Sequence, residues 1–194
     1  LKDIMRKRLL ESAKTLEKTA ADDSVMENAG EFSRAVIRTY AAGGKVMIAG
    51  NGGSAADAQH IAAELVARFY FDREGLWAEA LTVNSSVLTA VANDYDYESI
   101  FSRQIESNGR PGDLFIAIST SGNSPNIVKA VRTCGEKGIY TVGLLGRGGG
   151  KLSSICDLNI IVPSDDTPRI QETHIALAHA MCEIVEQTIF GENA

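Results

Sequence analysis

Two loops built from glycine and hydroxyl residues constrain this chain more than any other feature. Gly50-Asn51-Gly52-Gly53-Ser54 follows the run Lys45-Val46-Met47-Ile48-Ala49, and Ser119-Thr120-Ser121-Gly122-Asn123-Ser124 follows Asp113-Leu114-Phe115-Ile116-Ala117-Ile118. Each loop then opens a stretch with helical periodicity. The first turn of a helix leaves N–H groups without partners, and the helix dipole adds positive potential there, so such a loop attracts an anion. Glycine lets the backbone approach an oxyanion, and Ser or Thr hydroxyls supply further donors. One glycine-rich turn usually does no more than reverse the chain. Two at equivalent strand ends of one sheet point to a phosphorylated small molecule as ligand.

The remainder reads as α/β. Apolar, β-branched runs at 45–49, 77–83, 113–118, 139–145 and 157–162 alternate with helical stretches at about 54–69, 85–92, 97–107 and 124–136. Continuous rather than alternating apolar runs belong to a parallel sheet covered on both faces. Residues 2–42 read as two helices before the first strand, with Leu9, Leu10, Ala13, Leu16 and Ala20 at helical spacing. Ser24 and Glu27 have the spacing of a capping box for the second helix, and Gly43-Gly44 ends it. Pro163 stops the last strand, and Thr167 is expected to cap a long terminal helix, with Pro168 in its first turn, that runs to about Phe190. No repeat, low-complexity segment or linker interrupts this order. The expectation is one domain over 1–194, divided into a helical segment at 1–42 and a parallel α/β core with its C-terminal helix at 43–194. The leading helices and the last one exceed what a five-stranded sheet needs for cover. Their apolar faces predict a subunit interface, with packing onto the parent domain as the alternative.

Composition narrows the partners. At 194 residues and a formal net charge of −6, the chain is long enough for a sizeable core and too acidic to track a nucleic-acid backbone. No 18-residue apolar run and no signal-peptide pattern occur, which predicts a protein neither inserted in a membrane nor exported. Cys134, Cys156 and Cys182 are scattered without metal or redox spacing, as expected of reduced packing thiols in a cytoplasm.

The first loop is not a dinucleotide fingerprint. Ala55 stands at the third glycine position, which that motif tolerates, but the second strand ends at Val83-Asn84 without the acidic residue that would hold a ribose. No G-x-x-x-x-G-K-[ST] occurs either, so a phosphomonoester suits the loops better than a nucleoside triphosphate. Gly146-Arg147-Gly148-Gly149-Gly150 also follows a strand and reads as a flexible connection. Beyond the first loop, His60 and Glu64 share a helix face at i,i+4, a spacing that serves a metal, a substrate or a plain surface hydrogen bond. The last helix carries Gln171, Glu172, His174 and His179. Gln171 and His179 are about 12 Å apart along a straight helix and about 80° around it. Two short ligands so placed reach one metal only if their side chains lean together or two subunits contribute.

The motifs GNGGSAADAQHIAAELVARF at 50–69, AVANDYDYESIFSRQI at 90–105, AISTSGNSPNIVKAV at 117–131 and RIQETHIALAH at 169–179 together resemble the phosphoheptose isomerases of the sugar-isomerase (SIS) superfamily. The likeness runs over nearly the full length; Thr167-Pro168 before Arg169 is a mild departure. The resemblance implies an SIS-type domain with a five-stranded parallel sheet flanked by helices. It implies an isomerase converting sedoheptulose 7-phosphate to D-glycero-D-manno-heptose 7-phosphate through a cis-enediol, for lipopolysaccharide, capsule or glycoprotein heptose. It further implies a cytoplasmic, intertwined homotetramer with active sites between subunits.

Residue by residue, the resemblance places Asn51, Gly52, Gly53 and Ser54 against substrate and gives the phosphate to Ser119, Thr120, Ser121 and Ser124. Asn93 and Asp94 would reach sugar hydroxyls, Arg68 falls where the family usually has arginine, and Gln171 would touch substrate. His60, Glu64, Gln171 and His179 match zinc-binding positions, implying one Zn²⁺ per subunit, with Glu64 and His179 also the acid/base pair. Related adaptors that bind the replication initiator DnaA share the loops but lack the acidic residue and the histidine of the site. Glu64 and His179 therefore favour the enzyme over the adaptor, and over a sugar-phosphate sensor that needs neither.

Overall fold

The computed structural model describes residues 1–191. Two helices, α1 (Lys2–Ala20) and α2 (Asp23–Ala41), precede β1 (Val46–Ala49), α3 (Gly53–Val66), β2 (Ala78–Ala80) and α4 (Ser85–Asp94). A 3-10 turn at Tyr97–Ser99 leads to α5 (Ser102–Asn108), β3 (Leu114–Ser119), α6 (Pro125–Glu136) and β4 (Tyr140–Leu145). Two further 3-10 turns, Arg147–Gly149 and Leu152–Ser154, then give way to β5 (Leu158–Ile161) and α7 (Thr167–Phe190). All five strands are parallel, in the order β2-β1-β3-β4-β5.

That order has a direct consequence for ligand binding. The chain moves outward to β2 on one side of β1 and to β3, β4 and β5 on the other, so connections leave β1 and β3 in different directions. On one face, Phe32 and Val36 of α2, Ile61 and Leu65 of α3, and Met181 and Val185 of α7 pack on Val46, Ile48 and Ile116. On the other, Ile105 of α5 with Ile127 and Val131 of α6 packs on Met47, Phe115 and Ala117. The helices that follow the neighbouring strands β1 and β3 thus lie on opposite faces. Their N-terminal loops diverge and leave a crevice at the carboxyl ends of these strands, where open α/β sheets bind ligands.

Burial follows strand position. Central β1 and β3 are buried at every residue, whereas the edge strands β2 and β5 are only partly so. The expected second strand at 77–83 shrinks to three residues because Asn84 caps α4, accepting from Val87 N–H at 3.1 Å, and the chain must turn before it. The expected helix at 97–107 is broken. Asp96 accepts from the Ser99 hydroxyl at 2.5 Å and the Ser102 hydroxyl donates to Ser99 O at 3.2 Å, local bonds that compete with the helical ladder. Two caps also differ from expectation: Asp22, not Ser24, caps α2 by accepting from Val25 N–H, and Asp166, not Thr167, is the N-cap of α7.

At the far end of the sheet from the crevice, Lys45 Nζ donates to Asp113 Oδ2 at 2.6 Å, which ties the start of β1 to that of β3. Both side chains are buried, so removing one partner would leave an unpaired charge at a cost of about 3–5 kcal/mol. The cysteines are unpaired, and burial pushes the thiols up, to about 12 for Cys156 and Cys182, so they pack rather than react. No helix among the described residues is long and apolar enough to cross a membrane.

α7 is anchored to the sheet by His174, whose Nε2–H donates to Leu145 O at the end of β4 at 2.9 Å. Burial pushes this imidazole down to about 4. A histidine that stays neutral when folded but titrates near 6.5 when unfolded makes protons favour the unfolded chain. Stability should therefore fall as pH drops from about 6.5 toward 4, by about 2 kcal/mol from this residue at pH 5. Urea unfolding at pH 7 and pH 5 tests this: the wild type should lose more stability between them than His174→Gln, and equal losses would refute it.

α1 stands apart from this packing. It reaches α7 through polar bonds, Lys18 Nζ to Pro163 O at 3.1 Å just before it and Arg169 Nη1 to Arg8 O at 2.5 Å. Leu9 and Leu10 remain 67% and 62% exposed, alongside Ile4 and Met5.

Candidate active site

The two loops meet across the crevice. In the first, Gly52 has φ of +59° and is the N-cap of α3, a backbone that L residues with side chains rarely adopt. Ser54 is buried in the first turn of that helix. In the second, the Ser119 and Ser124 hydroxyls lie 3.1 Å apart and Ser121 Oγ accepts from Asn123 N–H at 3.2 Å, so the hydroxyls curl around the start of α6. Thr120 and Ser121 are half-buried. Neither loop contains a Lys or Arg. Hydroxyls and main-chain N–H groups are the donors that these loops offer an anion.

The second loop is buttressed. Gly146–Gly150, expected as a flexible connection, packs against it instead: Leu152 N–H donates to Gly122 O at 3.0 Å and Lys151 N–H to Asn123 Oδ1 at 3.0 Å. A Cβ on Gly122 would meet Gly149 O at 1.8 Å, so no larger residue fits there.

Three of the expected chemical residues converge within one chain. His60 Nε2 and His179 Nε2 lie 2.9 Å apart, with the rings tilted at 48°, and Glu64 Oε1 lies 3.4 Å from His60 Nε2. Facing nitrogens at that distance share one proton between two lone pairs. Among the described residues no group of three or more His, Cys, Asp and Glu is placed to hold a metal ion. The donors nevertheless suit zinc: at Zn–N distances of about 2.0–2.1 Å, tetrahedral ligand atoms stand about 3.3 Å apart. The His60–His179 gap would have to widen by only a few tenths of an ångström. Gln171 sits elsewhere, its Nε2 3.5 Å from Ser54 Oγ, and a Cβ on Gly53 would meet that Nε2 at 2.6 Å.

The pairings Ser54–Gln171 and His60–His179 follow the same order along both helices, so α3 and α7 lie side by side and point the same way. Six residues of α3 separate Ser54 from His60, about 9 Å of helix. The remaining expected residues are not drawn into this cluster. Asn93 and Asp94 are exposed at the end of α4, bonded to each other at 2.9 Å, and Arg68 is exposed beyond the end of α3.

Several contributors escaped the sequence reading. Asn51, expected to touch substrate, exchanges two amide hydrogen bonds with buried Asn126, at 2.9 and 2.8 Å, and accepts from Tyr97 Oη–H at 3.2 Å. Asn126 and Tyr97 thereby join the loops. Glu186 of α7 is as buried as a core residue and accepts from Phe69, Tyr70 and Phe71 N–H and from Arg73. Burial alone would raise its carboxyl, but these donors together hold it below the ordinary carboxylate range. The sequence did hold a signal: Ala178, Cys182 and Glu186 repeat at i,i+4, placing a carboxylate in the buried stripe of α7.

A family profile described as SIS domain matches residues 9–146. The phosphoheptose isomerase of Aneurinibacillus thermoaerophilus is 52% identical over 98% of this chain and 96% of its own. That of Clostridium acetobutylicum is 50% identical over 99% of this chain and 98% of its own. Among solved structures, phosphoheptose isomerase from Neisseria gonorrhoeae superposes with a TM-score of 0.91 at 37% identity, covering 96% of this chain and 99% of that one. The chain belongs to the phosphoheptose isomerase family, and it is a sugar-phosphate isomerase.

Proposed function

We propose that the chain interconverts sedoheptulose 7-phosphate and D-glycero-D-manno-heptose 7-phosphate, with the phosphate in the second loop and the chemistry at Glu64 and His179. The convergence of His179 of α7 with His60 and Glu64 of α3, the helix that the first loop opens, carries this reading. An open-chain heptose phosphate spans on the order of 8–10 Å at bond lengths of about 1.5 Å.

Starting from the ketose, Glu64 takes a proton from C1. The C–H electron pair becomes the C1–C2 double bond, and the carbonyl electrons settle on O2, which takes up a proton to complete the cis-enediol. Return of a proton to C2 with loss of the O1 proton gives the aldose. His179 opens the ring and moves protons between O1 and O2. Ser119, Thr120, Ser121 and Ser124 hold the far end, so phosphate binding energy fixes the reacting carbons. His60, Glu64 and His179 would hold zinc, which supplies Lewis-acid polarisation of a carbonyl when bound; Gln171, which the resemblance gave as a further ligand, lies beside Ser54 instead. Coordination lowers the basicity of a carboxylate, so zinc content should be measured beside turnover.

The exposed face of α1 supports the homotetramer, and exposed Arg68, Asn93 and Asp94 suit sites completed by a neighbouring subunit. Unpaired cysteines suit a cytoplasmic enzyme. The test is NMR of sedoheptulose 7-phosphate mixed with purified protein, in which an aldose heptose phosphate should accumulate to equilibrium. Ser119→Ala and Ser121→Ala should each weaken sugar-phosphate binding by about 1.5–3 kcal/mol in calorimetry, the worth of a hydrogen bond to a charged group. Unchanged affinity would remove the second loop as the anion site.

A further inference from the structure

We propose that the buried Arg73–Glu186 pair is a positioning clamp that holds the Glu64 helix and the His179 helix in reacting register; the proposal rests on the isomerase reading above. Both side chains are nearly inaccessible, 2% and 1% exposed, and Arg73 Nε donates to Glu186 Oε1 at 2.8 Å. Neither group contacts the loops, and neither belongs to the His60–Glu64–His179 cluster.

The bonding ties one helix to the other twice. α3 ends at Val66, and the last carbonyls of a helix lack intrahelical donors. Arg73 donates to two carbonyls of that last turn, Glu64 O through Nη2 at 3.0 Å and Leu65 O through Nη1 at 2.9 Å. Nη1 also donates to Glu74 O at 2.9 Å, so four bonds fix the guanidinium. Glu186, from α7, accepts from Phe69, Tyr70 and Phe71 N–H at 2.7, 2.5 and 3.0 Å, the segment that leaves α3. Glu186 and His179 are seven residues apart, two turns of α7, hence on one face and about 10 Å along it. Phe69, held by that carboxylate, packs its ring 5.9 Å from the His179 imidazole. The pair therefore sets the backbone at Glu64 and one wall of His179 together.

A clamp of this kind acts on turnover rather than on phosphate capture, because displacing reacting groups by about 1 Å costs on the order of 100-fold while remote binding survives. Arg73→Lys keeps the charge and loses the fork; Glu186→Gln keeps the volume and loses the charge. For whichever variant folds and assembles as the wild type does, by circular dichroism and light scattering, kcat should fall at least 10-fold with sugar-phosphate affinity within about twofold. In a Glu64→Gln background the same substitution should cost less, since one of the two groups it positions is gone. Ring resonances of His60 and His179 should move as well, a readout that survives even if the heptose phosphate proves not to be the substrate. Unchanged kcat and ring resonances in a folded variant, or an undiminished loss in the Glu64→Gln background, would overturn the clamp. Failure of the wild type to isomerise the heptose phosphate would overturn only the substrate.

Discussion

Glu64→Gln is expected to lower turnover by at least about 100-fold, the lower end of what a positioned general base contributes. The substitution keeps length and helix propensity, and the Glu64 main-chain carbonyl that Arg73 holds is unaffected, so α3 should persist. Sugar-phosphate affinity should change little, because the proposed phosphate loop lies on another strand. Turnover near the wild-type value would remove Glu64 from the mechanism. An inactive variant with weakened binding would show that Glu64 holds substrate rather than its proton.

The second large effect concerns assembly. Leu9→Glu with Leu10→Glu places two charges on the most exposed apolar face of the chain, and the folded subunit has little reason to resist them, since only Thr19 of α1 is buried. For the proposed homotetramer, the mass in light scattering should fall to that of smaller species. Activity should fall with it by an order of magnitude or more, because each subunit would then lack its neighbour's groups. The His60–Glu64–His179 cluster forms within one chain, so dissociated subunits should retain it. A monomer with full activity would refute shared sites and leave the proton chemistry untouched.

How far the sequence carried these conclusions depended on distance along the chain. The buried strands β1 and β3 were legible because a strand covered on both faces reads as an unbroken apolar run. Both loops were legible as strand-to-helix turns because glycine and hydroxyl residues recur at two equivalent strand ends, where one such turn alone would not stand out. Edge strand β2 was overestimated, since Leu81 continues the apolar run although the chain is already turning toward the Asn84 cap. The misassigned caps at Ser24 and Thr167 show that an Asp one or two residues earlier competes for the same role. The chemical cluster was visible only as His60–Glu64 on one helix. Its third member lies 119 residues from His60, and helix geometry alone cannot say that α3 and α7 run side by side. The family resemblance supplied that partner. Asn126 and Glu186 were missed for the same reason: each has its meaning in a contact 75 or more residues away.

The reciprocal amide pair between Asn51 and Asn126 has a bearing on selectivity. It joins the first loop to the helix that the second loop opens, and it is uncharged, so neither pH nor salt loosens it. The gap between the loops is thus set before any ligand arrives. A crevice of set width works as a gauge of length: with a phosphate in its proposed seat at Ser119–Ser124, the other end of the ligand falls at one fixed reach. Sugars one carbon shorter would seat equally well and present the wrong atoms to Glu64, becoming occupants without being turned over.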